Sequence, residues 1–216
     1  MRDGVVKKII AKHFDKKITD VKKHCNFNSI YQVVWYYGRN EEPPCNLEHG
    51  KFISPMLAKE IPMKKWPSNP IVDYKYDGTP QFVDVAQLVR EYEVIEAIFD
   101  GEIYPIKEDG SPDEHKKMGT RVHSKDHAEA MNRVPVRWVI FDCLMWENET
   151  IMNLSYADRL DKFKSNPDQA HRMKEGGDIM AFYNNAINDG FEGVIVKDTT
   201  LPYEAGKRST GWAKYK

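Results

Sequence analysis

Residues 71–78 read IVDYKYDG, and this stretch decides how the rest of the chain is interpreted. Its first part is rich in β-branched and aromatic residues, and Asp77 and Gly78 are turn residues, so the pattern predicts a strand that ends near Tyr76. A lysine held in a dry pocket at a strand end can lose its proton and attack phosphorus or a carbonyl carbon. Alone, this motif is more often a solvated strand end, so other elements must decide whether Lys75 is reactive.

Two carboxylates follow on a second extended run, Phe99 to Ile103. Asp100 and Glu102 are two residues apart, so a strand would place both side chains on one face. Such a pair can hold a magnesium ion against phosphate oxygens. A hairpin turn with two exposed acids has the same pattern, and in isolation that interpretation is favoured.

Two later runs add an aromatic residue and a second acid. The run Val139 to Leu144 predicts a strand whose Phe141 can stack on a purine, although an aromatic residue in such a run more often belongs to the core. From Glu192 to Lys197 the sequence has an acid, a glycine, three apolar residues and a lysine. Alternation along a strand would aim Glu192 and Lys197 at opposite faces, so we do not expect them to share a contact.

The last nine residues are basic, with Arg208 followed by Lys214 and Lys216. Both lysines fall on one side of a predicted strand. Two ammonium groups and a guanidinium can neutralise a triphosphate and stabilise a leaving pyrophosphate. A basic tail that is simply solvated would have the same composition.

The remaining sequence divides into a helical beginning and a mixed remainder. Apolar residues at helical spacing predict amphipathic helices over 5–14 and 29–37, and the polar, proline-containing residues 40–50 predict a linker. From Phe52 onward, short β-type runs and helical stretches without strict alternation favour an α+β core. The predicted strands are 71–76, 98–105, 136–145 and 193–197, and the predicted helices are 83–92, 156–163 and 179–188, the last of them ending at Gly190 as a C-cap.

The composition limits the class of protein without selecting a partner. A hydrophobic fraction of 41% over 216 residues excludes a disordered chain. The charges of the 32 basic and 33 acidic residues nearly cancel. Residues 1–24 nevertheless hold eight Lys or Arg against three acids. Three cysteines fit no zinc-site or disulfide spacing, and no apolar run has the length of a membrane span. We therefore expect an intracellular protein, cytosolic or nuclear, that has no membrane partner.

In this order and spacing, the motifs resemble those of the covalent nucleotidyltransferase superfamily of ligases and capping enzymes. Residues 52–58, FISPMLA, resemble the start of the adenylation domain in archaeal-type and eukaryotic-type ATP-dependent DNA ligases, and residues 202–216 resemble its end. Residues 2–38 resemble the last part of the helical DNA-binding domain that precedes it. The resemblance implies an α+β, ATP-grasp-like nucleotidyltransferase core of antiparallel sheets with flanking helices, preceded by a partial helical domain.

The same resemblance implies domain boundaries. Residues 1–40 would be the C-terminal remnant of the helical DNA-binding domain, residues 41–51 a linker, and residues 52–216 the adenylation domain. The family has an arginine shortly after the lysine motif, whereas here Thr79 and Pro80 follow it, and the resemblance implies that a hairpin after residue 79 is missing. We also expect the downstream OB-fold domain to be absent.

The resemblance implies a role for each candidate residue. Lys75 would attack the α-phosphorus of ATP, giving a lysyl-adenylate and pyrophosphate, with Mg2+ as cofactor. Asp73, where the family usually has glutamate, would lie near the adenine. Cofactor-binding roles would otherwise fall to Glu102 at the ribose or metal, Phe141 stacked on adenine, Glu192 at the metal, and Arg208, Lys214 and Lys216 at the phosphates. The partner would be nicked double-stranded DNA, bound by a monomer.

Three interpretations remain open at this point. With its departures from the family pattern, we expect the chain not to seal nicks unaided and to adenylylate itself weakly or not at all. Within enzymes, an RNA ligase or a GTP-using capping enzyme shares the lysine and acidic motifs. A non-catalytic nucleic-acid-binding remnant, acting through its basic N-terminal helix, is the alternative from another class.

Overall fold

The computed structural model describes residues 3–47, 53–76, 97–124, 126–165 and 168–216. The chain divides into two compact units, and each is described by itself. One comprises Met1–Leu57 with Glu204–Arg208, and the other comprises Ala58–Tyr203 with Ser209–Lys216. The predicted helix over 83–92 and the predicted missing hairpin after residue 79 lie outside the described residues.

The part of the first unit that the structure describes contains three helices, α1 (Asp3–His13), α2 (Ile18–His24) and α3 (Ile30–Gly38). Helix α3 begins at a capping box in which the Ser29 hydroxyl accepts the backbone N–H of Gln32 and the Gln32 side chain accepts the N–H of Ser29. Helices α1 and α3 confirm the two predicted helices, whereas α2 was not predicted. The three helices pack around one small core. The buried apolar residues of this core are Ile10, Ala11, Val21, Cys25, Val33 and Tyr37.

The described part of the second unit is built on two largely antiparallel sheets. The larger sheet has the strand order β1 (Leu57–Glu60), β7 (Arg208–Tyr215), β6 (Val194–Asp198) and β2 (Pro70–Tyr74). The smaller sheet has the order β3 (Ala97–Pro105), β4 (Val136–Trp146) and β5 (Glu149–Thr150). The α+β, antiparallel architecture expected from the sequence is therefore confirmed.

Strand register divides the larger sheet into an apolar and a polar face. Val72 pairs with Val196, which pairs with Ala213, and all three are fully buried in the core. One residue along, Asp73 pairs with Ile195, which pairs with Lys214. Because paired residues of an antiparallel sheet point to the same side, the face opposite the core carries the candidate site residues Asp73 and Lys214.

A connecting segment, residues 168–173, joins the two sheets through backbone hydrogen bonds. On the smaller sheet, Ile140 N–H donates to Asp168 O at 2.7 Å and Ala170 N–H donates to Ile140 O at 2.9 Å. On the edge of β2, Tyr74 N–H donates to His171 O at 2.9 Å and Met173 N–H donates to Val72 O at 2.8 Å. The segment therefore covers the outer edge of β2, whose other edge pairs with β6.

Among the described residues of the second unit, the helices are α4 (Lys116–Val122), α5 (His127–Arg133), α6 (Tyr156–Phe163) and α7 (Ile179–Asn188). Side-chain caps from Ser155 and Asp178 begin α6 and α7, and Gly190 follows α7 with a φ of +87°. The predictions of α6 and α7 are thus confirmed to the residue, whereas α4 and α5 were not predicted. Across the described residues, every helix is too short or too polar to cross a membrane.

Candidate active site

Lys75 lies directly after β2 and is held by its backbone against β6. Its N–H donates to Gly193 O at 2.8 Å, and the N–H of Glu192 donates to Lys75 O at 3.2 Å. The Lys75 side chain is 19% exposed. Its Nζ donates to the Glu192 carboxylate and to Tyr76 O at 3.2 Å. The nucleophile expected from the sequence is therefore sheltered from solvent and beside a carboxylate.

Glu192 joins Lys75 to the last residue of the chain. The Glu192 oxygen that accepts from Lys75 also accepts from Lys216 Nζ, at 2.6 Å. Burial by itself would raise the pKa of Glu192, but hydrogen bonds from Lys216 and Lys75 outweigh it, so the pKa lies below its ordinary value. Lys75, Glu192 and Lys216 thus form one cluster, which we call the lysine–glutamate cluster.

Gly193 makes this cluster possible because no other residue fits between Glu192 and β7. Its φ is +138°, which side chains rarely adopt, and a Cβ here would overlap the carbonyl oxygen of Tyr215. The close approach brings the end of β7 next to Glu192. The glycine of the run that the sequence analysis singled out therefore has a defined structural role.

The cations of the basic C-terminal stretch have different surroundings. Lys216 lies in the lysine–glutamate cluster. Lys214 Nζ is 3.0 Å from a carboxylate oxygen of Glu60, on β1, and Arg208 is exposed. The phosphate-binding roles of all three stay predictions.

Asp73 is hydrogen bonded by a second group of polar and charged side chains. Its side chain is 1% exposed, and its carboxylate accepts from Arg172 Nε at 2.8 Å, Lys197 Nζ at 2.7 Å and Tyr156 Oη at 3.3 Å. Burial would lower the pKa of Arg172, but Asp73 outweighs it and the pKa is raised. For fully buried Lys197, burial prevails over Asp73 and lowers the pKa. Arg172 was not predicted, because it belongs to no recognisable sequence motif.

Phe141 lies beside Lys197. The register of β3 and β4 skips Phe141, which marks a bulge, and its carbonyl accepts from Tyr156 Oη at 2.9 Å and Lys197 Nζ at 3.0 Å. The Lys197 ammonium is 5.1 Å from the centroid of the Phe141 ring and 4.6 Å from those of Tyr156 and Trp212. Phe141 is partly buried against the core, and its predicted stacking on adenine stays a prediction.

The two carboxylates predicted on β3 have different surroundings. Asp100 lies opposite Asp142 in the strand register and accepts a hydrogen bond from Tyr203 Oη at 2.6 Å. Burial raises the pKa of Asp100 to about 7. Asp142 in turn accepts from Arg159 Nε and Nη2, both at 2.8 Å, and this pair is fully buried. Glu102 is half-buried opposite Val139. Asp100 is thus held in a structural network, and the role of Glu102 stays a prediction.

The geometry as a whole supplies a sheltered amine next to a carboxylate that two lysines share. Glu192 and Lys197 do have separate partners, as their alternation predicted. No local sequence pattern indicates the roles of Arg159, Arg172 and Tyr203, because each contacts a residue that is distant in the chain.

Comparison with known sequences gives one family for most of the chain. Residues 79–216 match the family described as the ATP dependent DNA ligase domain. A DNA ligase of Saccharolobus solfataricus is 31% identical over 203 residues, covering 76% of this chain and 34% of that protein. A DNA ligase of Haloarcula marismortui is 26% identical over 252 residues, covering 99% of this chain and 45% of that protein. The chain spans less than half the length of both relatives.

Comparison with solved structures agrees on the fold. The ligase domain of LigD from M. tuberculosis matches with a TM-score of 0.59 and 19% identity, over 76% of this chain and 59% of that one. A mycobacterial DNA ligase D complexed with ATP and MES matches with a TM-score of 0.56 and 19% identity, over 74% and 59%. At this level of identity the likeness concerns the fold.

Proposed function

The chain belongs to the ATP-dependent DNA ligase domain family, and on that premise we propose that it transfers the AMP group of ATP to Lys75, slowly, as the first step of DNA nick joining. The observation that carries this proposal is the sheltered Nζ of Lys75, hydrogen bonded to Glu192. Its loss of a proton to solvent would free the amine. A nitrogen–phosphorus bond would then form at the α-phosphorus as the bond to the bridging oxygen breaks, and pyrophosphate would leave with the electron pair. The nitrogen would release a second proton to solvent, which gives the neutral nitrogen of the lysyl-adenylate.

The residues around Lys75 would position the reacting groups. Glu192 holds the amine in place before ATP arrives, and Lys216 neutralises part of the charge of Glu192. We propose that Lys216, Lys214 and Arg208 bind phosphates and that Phe141 stacks on adenine. The proposed contact of Asp73 with adenine would form beside the hydrogen bonds from three side chains, Arg172, Lys197 and Tyr156, that the carboxylate already accepts.

Magnesium fits this arrangement through Glu192. The Glu192 side chain is an oxygen donor that is one-third exposed next to the nucleophile, and Mg2+ usually takes one or two carboxylates together with substrate phosphates. No cluster of three or more His, Cys, Asp or Glu side chains suited to a metal occurs within the described ranges. We propose Glu192 and Glu102 as its protein ligands. When bound, the ion would neutralise charge on the phosphates.

Covalent labelling tests the proposal. The purified protein is incubated with α-labelled ATP and Mg2+, and the label is followed by denaturing electrophoresis. We expect a weak covalent label that is lost in Lys75→Ala and Lys75→Arg and kept in the matched surface variant Lys174→Ala. An unlabelled parent, or a label that persists in Lys75→Ala, would overturn the proposal. Excess unlabelled ATP should suppress the label and excess GTP should not, which separates this activity from that of a capping enzyme.

We also propose that residues 1–40 are the C-terminal part of a helical DNA-binding domain, residues 41–51 a linker and residues 52–216 the adenylation domain, with nicked double-stranded DNA as the partner. The first unit exposes five lysines on α1, α2 and the turn between them, which suits contact with phosphates. They are Lys8, Lys12, Lys17, Lys22 and Lys23.

DNA binding without catalysis is the second candidate function, and the same exposed lysines favour it. Binding to a nicked duplex is measured by fluorescence anisotropy at several salt concentrations. Affinity that falls steeply with salt and survives Lys75→Ala supports DNA as a partner, and affinity independent of salt contradicts it. If such binding accompanies an unlabelled parent, the non-catalytic function is favoured. We do not expect this 216-residue protein alone to produce joined product from a nicked duplex.

A further inference from the structure

Arg172 has no part in the proposed reaction, yet it contacts β2, the strand that ends directly before Lys75. It lies in the connecting segment, residues 168–173, and forms an isolated antiparallel bridge with Asp73. Its Nε donates to Asp73 Oδ1 at 2.8 Å, and its Nη1 donates to Gln169 Oε1 at 2.9 Å. The bridge is made by backbone hydrogen bonds of the residues on either side, and the side chain of Arg172 adds a direct contact with Asp73.

Charge balance alone does not account for Arg172. Lys197 donates to the other oxygen of Asp73 at 2.7 Å and is buried with it. One ammonium is enough to neutralise one carboxylate, and a second cation nearby adds repulsion with the first. Arg172, which is 19% exposed, is the second cation of the pair. Asp73 attracts Arg172, but Lys197 already supplies a cation to that carboxylate. The charge of Arg172 is therefore one part of its contribution, and the contacts it holds are another.

The contacts of the strand end suggest what that further contribution is. Lys75 follows Asp73 by two residues, after β2 has ended at Tyr74. On one edge, the backbone of Lys75 is held by Gly193 and Glu192. On the other edge, the connecting segment holds Tyr74 and Val72 by backbone bonds. Arg172 adds the side-chain contact on that second edge, so the residues immediately before the nucleophile are fixed from both sides.

We propose that Arg172 is a positioning residue for Lys75 and acts through Asp73. This inference rests on the proposed adenylylation of Lys75. Attack on phosphorus needs a near in-line approach at about 3 to 3.5 Å, and a displacement of about 1 Å can cost about a hundredfold in rate. By fixing the Asp73 carboxylate, Arg172 fixes the backbone from which the Lys75 side chain extends. Its function requires no contact with ATP.

The first test separates the rate of adenylylation from the affinity for ATP. Arg172→Gln should lower the limiting rate at saturating ATP by about tenfold or more, with little change in the ATP concentration that gives half the rate. Arg172→Lys should recover part of the rate, since it keeps the charge but not the planar guanidinium. The matched control Arg133→Gln, which removes an exposed arginine from α5, should behave as the parent does.

The coupling to Asp73 is tested by a double-mutant cycle. If Arg172 acts through Asp73, then Arg172→Gln should slow an Asp73→Asn protein far less than it slows the parent. Effects that multiply would overturn the proposal. An increase in half-saturating ATP as large as the loss of limiting rate would also overturn it.

A measurement without ATP keeps the inference separate from the proposed function. The rate of reductive methylation of Lys75 is followed by mass spectrometry in the parent, in Arg172→Gln, in Arg172→Lys and in Arg133→Gln. Loosening of the strand end should make Lys75 react several-fold faster in Arg172→Gln, less so in Arg172→Lys, and at the parental rate in Arg133→Gln. Equal rates throughout would refute the positioning role. If the parent is never adenylylated, the proposed function fails, and this measurement still decides the role of Arg172.

Discussion

Replacement of Asp100 by asparagine should stabilise the protein at alkaline pH and not at acidic pH. The Asp100 carboxyl is partly buried, lies opposite Asp142, and accepts a 2.6 Å hydrogen bond from Tyr203. Burial, which is the largest cause, and the negative charges of Asp142 and Glu102 raise its pKa from 3.8 to about 7, against the opposing effects of Tyr203 and Lys197. The folded protein therefore holds a proton that the unfolded chain releases.

The sign and size follow from proton linkage. Because the pKa is higher in the folded state, the contribution of Asp100 to the free energy of unfolding is fully present below pH 3.8 and is lost as the pH rises to about 7. At about 1.4 kcal/mol for each pH unit, the loss amounts to about 4 kcal/mol. An asparagine has no charge to desolvate, and its carbonyl oxygen can still accept the bond from Tyr203.

Urea denaturation at pH 5, 6, 7 and 8, followed by tryptophan fluorescence, measures this effect. The difference in unfolding free energy between Asp100→Asn and the parent should rise with pH by about 1 kcal/mol per unit and level off above pH 7. The control Asp161→Asn, which changes an exposed acid on α6, should show no such trend. A difference for Asp100→Asn that stays constant from pH 5 to pH 8 would refute the reasoning.

Two further substitutions test the packing around the candidate site. Gly193→Ala places a Cβ against the Tyr215 carbonyl at a φ of +138°, so we expect a loss of several kcal/mol in thermal or urea unfolding together with loss of the Lys75 label; a variant with parental stability and label would contradict this. Arg159→Met leaves the carboxylate of Asp142 buried without the two hydrogen bonds from Arg159, for a loss of about 3 to 5 kcal/mol in urea unfolding. The double variant Arg159→Met, Asp142→Asn should be more stable than Arg159→Met alone, and equal stability would show that the stranded charge is not the cause.

The fold was predictable where side chains repeat with a clear period. Strands β2, β3, β4 and β6 alternate or are continuously apolar, and α6 and α7 have apolar stripes bounded by Ser155, Asp178 and Gly190. Helices α4 and α5 were missed because each has only seven residues, too few for a period to stand out. Strand β1 has four residues, of which three are exposed, so it also lacked a signal.

The site was predictable in its parts and not in its pairing. Lys75, Glu192 and Lys216 were each expected near the reaction, but their sharing of one carboxylate oxygen depends on the order β7-β6-β2, which no local pattern contains. Strand order also explains Lys214, which meets Glu60 because β1 lies beside β7. Arg172 comes from a connecting segment without periodicity, so only the coordinates reveal its contact with Asp73.

The shared oxygen of Glu192 has a consequence for the energy of the proposed reaction. If Lys75 were the sole partner of Glu192, its conversion to an adenylate would leave a partly buried carboxylate without a cation, at a cost in free energy. Lys216 donates to the same oxygen at 2.6 Å and can remain there after Lys75 has reacted. The charge on Glu192 is then neutralised both before and after transfer of AMP. Lys75 can therefore leave its ion pair while the Glu192 carboxylate keeps a cationic partner. This arrangement suits a nucleophile that is held in place before the reaction and released during it.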